Sequence, residues 1–215
     1  MSAATPPETS PFADPAGTWN GRFSRPDYLF GTAPNEWLVE HASVWQPGDR
    51  VLCVADGEGR NSVWLAKRGL LIDAFDISEV GVDKARRLAA EQGVEVNFSV
   101  TDVDGFAWPR EAYDGVAAIF VQFAHPALRE RMFNRIVQSL KLGGTLVLQG
   151  YTPHQLDYGT GGPPFATHMY TRQLLREAFE DELEITTLRE YDAVVNEGEG
   201  HSGRSALIGM VGRRR

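Results

Sequence analysis

Val51-Leu52-Cys53-Val54-Ala55-Asp56-Gly57-Glu58-Gly59-Arg60-Asn61-Ser62 is the stretch whose reading decides the fold. Val51 to Ala55 is an apolar run of strand length, Asp56 to Gly59 is an Asp-Gly-x-Gly turn, and Asn61 to Arg68 has helical patterning, stopped by Gly69. Glycine turns the backbone sharply and lets a ligand approach without a Cβ clash. The helix start beyond it presents unpaired N–H groups. In open α/β sheets, ligands bind where such a turn leaves the carboxyl edge of a strand.

Outward from this unit the alternation continues. Leu70 to Phe75 predicts a second strand, and Ser78 to Gln92 a helix with Ser78 as N-cap and Gly93 as its stop. Val94 to Val100, Tyr113 to Val121 and Gly143 to Gln149 predict three further strands. Pro126 to Leu140 and Thr171 to Glu180 predict helices. Upstream, Pro34 suits a helix start over about 34–45 because its missing N–H costs nothing there. Two late strand-like runs, about 183–194 and 205–212, have no helix between them and must pair as an antiparallel hairpin at one sheet end. The pattern predicts a doubly wound α/β fold, Rossmann-like, with a mostly parallel seven-stranded sheet and helices on both faces. Residues 18–215 read as a single domain. Residues 1–17, small, polar and proline-rich, read as a disordered tail.

Acids fall where a nucleotide-like ligand needs them. Asp76 ends the second strand, where one carboxylate accepts from both ribose hydroxyls. Thr101-Asp102-Val103 follows the third strand, where Asp102 suits an adenine amino group and Val103 the ring. Phe120 and Phe123 follow the fourth, placed to flank the adenine or the reacting centre.

Val51 to Ala66 resembles the first motif of class I S-adenosylmethionine-dependent methyltransferases. Its Gly-Arg-Asn-Ser continuation is similar to the small-molecule branch of tellurite-resistance and thiopurine type. Asp76-Ile77-Ser78, Asp102, the Leu140-Lys141-Leu142-Gly143-Gly144 approach to the fifth strand and the closing hairpin continue the resemblance, as does Tyr28 to Asn35, over about residues 22–212. The resemblance implies S-adenosylmethionine as cofactor, with S-adenosylhomocysteine as product. It implies that Asp56, Gly57, Gly59, Arg60 and Asn61 cradle the methionine part, with Tyr28 and Gly31 closing over it. Asp76 and Ile77 would then hold the ribose, and Asp102 and Val103 the adenine, beside Phe120 and Phe123. The chain departs from that family at Cys53, where an acid is usual, and at Ala55-Asp56, where Gly-Cys is usual; Asp56 is expected to replace the missing carboxylate in part.

Composition narrows the partner. With 21 basic against 29 acidic residues the net charge is −8, which argues against a nucleic-acid backbone. No apolar run approaches the length of a membrane span, so no membrane partner is expected. A lone cysteine and no visible signal peptide fit a cytoplasmic setting. The 5 histidines are scattered without ligand spacing, so no metal is expected. The expected partner is a small-molecule methyl acceptor, and the expected assembly a monomer or homodimer.

Methyl transfer from a sulfonium is an in-line displacement that needs alignment and, for some nucleophiles, removal of a proton. Tyr151, His154, Tyr158, His168 and His201 are the candidates on the acceptor side, with His154 or His201 as positioning group or base. Two other classes stay open: a non-catalytic S-adenosylmethionine-binding regulatory module, and a nicotinamide-dependent oxidoreductase. Against the second, Ser62 stands where the dinucleotide fingerprint wants its third Gly or Ala.

Overall fold

The computed structural model describes residues 14–215. The alternation builds α1 (Pro15–Phe23), α2 (Glu36–His41), β1 (Arg50–Val54), α3 (Arg60–Lys67), β2 (Leu71–Asp76), α4 (Glu79–Glu91), β3 (Asn97–Val100), β4 (Tyr113–Ile119), α5 (Pro126–Ser139), β5 (Leu140–Tyr151), α6 (Gln155–Tyr158), α7 (Arg172–Phe179), β6 (Leu183–Glu197) and β7 (His201–Arg214). Short 3-10 turns follow α2 and precede α7. The strands form one seven-stranded sheet in the order β3-β2-β1-β4-β5-β7-β6. The first five run parallel to one another. β7 lies antiparallel between β5 and β6, from Thr145↔Arg213 to Tyr151↔Leu207 on one side. The expected α/β sheet and its terminal hairpin both form.

The central strands explain why helices cover both faces. Val51, Leu52, Cys53 and Val54 are all buried, and successive side chains point to opposite sides. Leu52 and Val54 join Val116, Leu146, Leu148, Met132 and Ile136 on the α5 face. Val51 and Cys53 join Ala117, Val147, Leu65, Trp37 and Trp45 on the other. Gly115 and Gly209 leave room there for the indoles of Trp45 and Trp37, which a Cβ would overlap.

Several boundaries differ from the sequence expectation. The tail was expected to run to residue 17, but a helix starts at Pro15; residues 1–13 of that expectation lie outside the described residues. Asp14 caps α1 by accepting from Gly17 N at 3.0 Å, and Pro15 takes the first helical position. β3 begins at Asn97 rather than Val94, because Val94 N still bonds to Ala89 O in the close of α4. β6 and β7 run longer than expected and meet in a tight turn, so that Glu197 pairs with His201.

Candidate functional site

The carboxyl edge of β1, β2 and β4 opens into a cavity of about 320 Å³. Of the residues singled out for the cofactor, Asp56, Gly57, Arg60, Asn61, Asp76, Ile77, Asp102, Phe120 and Phe123 line it. Of those singled out for the acceptor, His168 and His201 do.

The first turn is built from left-handed backbone. Ala55, Gly57 and Gly59 have φ of +48°, +62° and +88°. At Ala55 an L-residue holds a conformation that costs about 1–2 kcal/mol. Gly59 serves packing: a Cβ there would come within 2.7 Å of Ala85 Cβ on α4. Asp56 accepts from the Ser62 hydroxyl, and burial pushes its carboxyl up to about 7. Asp76 accepts from Gly57 N at 2.9 Å and Ser78 N at 2.8 Å, which ties the end of β2 to the turn after β1. Burial pushes Asp76 up to about 6, against those two hydrogen bonds. Asp102 uses one oxygen to accept from Gly105 N at 2.6 Å.

The cover over this turn comes from elements the sequence reading left out. Trp19 and Phe23, stacked at 5.4 Å on one face of α1, line the cavity with Pro15 and Phe30. Phe23 lies over Gly57, whose Cβ would sit 3.3 Å from the ring. A buried Lys84–Glu58 ion pair fastens the cover. Lys84 Nζ also donates to the carbonyls of Phe23, Arg25 and Asp27 at 3.2, 3.1 and 2.5 Å, and Glu58 accepts from Leu29 N at 2.8 Å. Trp19 and Phe23 at i, i+4 after a capping Asp-Pro were the legible signal for α1.

A polar network joins the cover to the hairpin. Asn35 caps α2, donates to Gln149 Oε1 at 2.7 Å and to Glu197 Oε1 at 2.8 Å, and its N donates to Asn61 Oδ1 at 2.9 Å. Glu197 also pairs with Arg60 at 2.7 Å and with His201 Nδ1 at 3.4 Å. Burial alone would raise Glu197; the His201 hydrogen bond and the Arg60 charge hold it down at about 2. His201 is lowered by burial and by the charges of Arg60 and Arg22, with Glu197 pulling the other way, so its ring is neutral at neutral pH. It packs between Phe30 at 4.4 Å and Phe120 at 4.5 Å. Glu197 was missed because only the hairpin register brings it beside His201.

The remaining sequence candidates lie outside the cavity. Tyr28 was expected to close over the cofactor; its ring instead packs on Lys84 and on Val63, Leu88 and Ala89, and Phe23 and Phe30 take the covering position. Gly31 makes a left-handed turn beside Gly198, and Val103 is buried in the core, its carbonyl taking the Trp108 N–H at 2.8 Å. Tyr151 is buried behind Phe120 and His201. His154 is exposed and Tyr158 half-buried; they bond to each other, His154 also to Asp157 and Tyr158 to Asp192. Among the described residues, no group of three or more His, Cys, Asp and Glu is placed to hold a metal ion.

Fold and site together have the arrangement of the class I S-adenosylmethionine-dependent methyltransferases, a class that takes its methyl group from S-adenosylmethionine. Residues 51–144 match the family model described as a methyltransferase domain. A ubiquinone biosynthesis O-methyltransferase from Azoarcus sp. (strain BH72) is 27% identical over 145 residues, which are 66% of this chain and 61% of that protein's length. TehB from Haemophilus influenzae superposes with a TM-score of 0.71 at 17% identity, over 93% of this chain and 67% of that one. Magnesium protoporphyrin IX methyltransferase from Synechocystis, solved with bound S-adenosylmethionine, gives 0.60 at 21% identity, over 83% and 75%. No described helix is long and apolar enough to cross a membrane.

Proposed function

We propose that this protein transfers a methyl group from S-adenosylmethionine to a small-molecule acceptor. The observation that carries the reading is the single cavity edge that gathers the Asp56–Gly59 turn, Asp76, Asp102 and the aromatic cover. The site suits the cofactor by its donor set. Asp76 keeps lone pairs for the ribose hydroxyls and Asp102 has a second oxygen for the adenine amino group. Asp56 would take the amino group of the methionine part. Arg60 Nη1 is buried without a hydrogen-bond partner, an orphaned donor beside the place where a carboxylate would lie. S-adenosylmethionine supplies an activated methyl on a sulfonium.

This chain's residues do the remainder. Phe30, Phe120, Phe123 and Trp19 line the cavity and would exclude water from the reacting centre. His201, which lines the cavity, is preferred over the exposed His154 as the group that would meet the acceptor's nucleophile. A small acceptor, and not a nucleic acid, is supported by the net charge of −8 and by a cavity of about 320 Å³. The relatives' names point the same way. Cys53, a buried free thiol, accords with a cytoplasmic setting; sedimentation distinguishes monomer from homodimer. The test is parallel titration calorimetry with S-adenosylmethionine, S-adenosylhomocysteine and NAD. Saturable binding of the first two, lost in Asp76→Ala, is expected; binding of NAD alone would replace this reading with an oxidoreductase.

A further inference from the structure

We propose that Glu197 and His201 form a dyad that deprotonates a hydroxyl group, so that the acceptor is an aryl alcohol and the reaction an O-methylation; this rests on the methyltransferase reading above. The two residues face each other across the β6–β7 turn, His201 Nδ1 lying 3.4 Å from Glu197 Oε2. A carboxylate only accepts, so the contact places the ring proton on Nδ1 and leaves the Nε2 lone pair on the opposite side of the ring. His201 lines the cavity, and Nδ1 is taken by Glu197, so Nε2 is the nitrogen left for an acceptor.

The dyad is fixed from every side. Arg60 Nη2 and Asn35 Nδ2 hold Glu197 at 2.7 and 2.8 Å, and Phe30, Phe120 and Tyr151 surround the imidazole. The charged groups that act on His201 are Glu197 on β6, Arg60 on α3 and Arg22 on α1. A neutral imidazole with an oriented proton is a base for an acceptor that arrives protonated; a thiolate or chalcogenide arrives ionised and needs none. The aromatic surroundings suit a ring carrying that hydroxyl. In the step, the acceptor oxygen gives its lone pair to the methyl carbon, the carbon–sulfur bonding pair leaves with sulfur, and the hydroxyl proton passes to His201 Nε2. That proton is later released to water. Glu197 touches no reacting atom and is a positioning residue.

The first readout needs neither cofactor nor acceptor. Nitrogen-15 NMR of the His201 ring in the full chain should report a neutral ring protonated on Nδ1 at neutral pH, titrating below the ordinary histidine range. Glu197→Gln should mix the tautomers and move that titration lower still, because Arg60 and Arg22 lose their counter-charge. The second readout is kcat against phenol acidity. Glu197→Gln and His201→Ala should lose about a hundredfold on phenols protonated at the assay pH and little on 4-nitrophenol assayed where it is ionised. A ring protonated on Nε2, equal losses on both phenols, or turnover of thiols with none of phenols would each overturn the proposal. Failure to bind S-adenosylmethionine would instead remove the parent reading, and the NMR result would still decide the dyad.

Discussion

Asp56 is a carboxyl whose buried position opposes its own ionisation. Its value of about 7 means that a cationic amino group seated beside it must first displace a proton below that pH. S-adenosylhomocysteine should therefore bind more tightly as pH rises through 7, by up to about tenfold per pH unit below it. Calorimetry across that range in wild type and Asp56→Asn checks this; a variant that keeps the slope, or the full affinity, removes Asp56 from the amino-group contact. Its neighbour Ala55 stands at φ +48° with a methyl group that glycine would not carry. Ala55→Gly should raise stability by about 0.5–1 kcal/mol, the relief of the left-handed cost less the extra chain entropy of glycine. Denaturant unfolding measures it. At this scale the acids were legible and the aromatic cover was not. Asp76 and Asp102 follow from strand ends, which parallel register fixes locally. Tyr28 was misread because its ring direction depends on where Lys84 of α4 lies, which is a tertiary fact.

α1 and α4 form the element on which closure of the site depends. Lys84 sits buried, binding Glu58 and three carbonyls at the end of α1 and beyond it. Lys84→Met leaves Glu58 buried without its counter-charge, and the expected loss is about 3–5 kcal/mol. Hydrogen exchange should show residues 23–29 opening before the sheet does; uniform destabilisation with no local opening would mean that the cover is held by its aromatics alone. Phe23→Ala, also buried, should cost a comparable 3–5 kcal/mol. The sequence spoke for α3 to α5 through amphipathic patterns set between strand-length apolar runs. α1 offered its aromatic pair after Asp-Pro as a local signal, but that Phe23 covers the turn follows only from its packing against Gly57 and Gly81, which is a tertiary fact.

The site is assembled from three parts of the chain that are far apart in sequence. The Asp56–Arg60 turn lies at the bottom, residues 15–31 above it, and the hairpin turn at the side. The last two are joined by Gly200 N to Leu29 O at 3.1 Å and Arg25 to Glu199 at 2.7 Å. A ligand held among them should protect all three from exchange together and raise the unfolding free energy by about 2.7 kcal/mol at one hundred times its Kd. Protection confined to 56–60 would mean that the cover and hairpin do not take part. The parallel sheet and terminal hairpin legible in the sequence could not disclose this meeting, because it depends on how far β6 and β7 extend beyond β5. β7 also has a consequence for biogenesis. Of this sheet's strands it is the last in chain order, yet it lies inside the sheet, the partner of both β5 and β6. On the ribosome, β6 has nothing to pair with until β7 has emerged, and β5 presents an open edge. The nascent chain thus passes through an interval in which the nucleotide half is complete but neither Glu197 nor His201 is in place. During that interval the unpaired edge of β5 is open to edge-to-edge association, which pairing with β7 then closes.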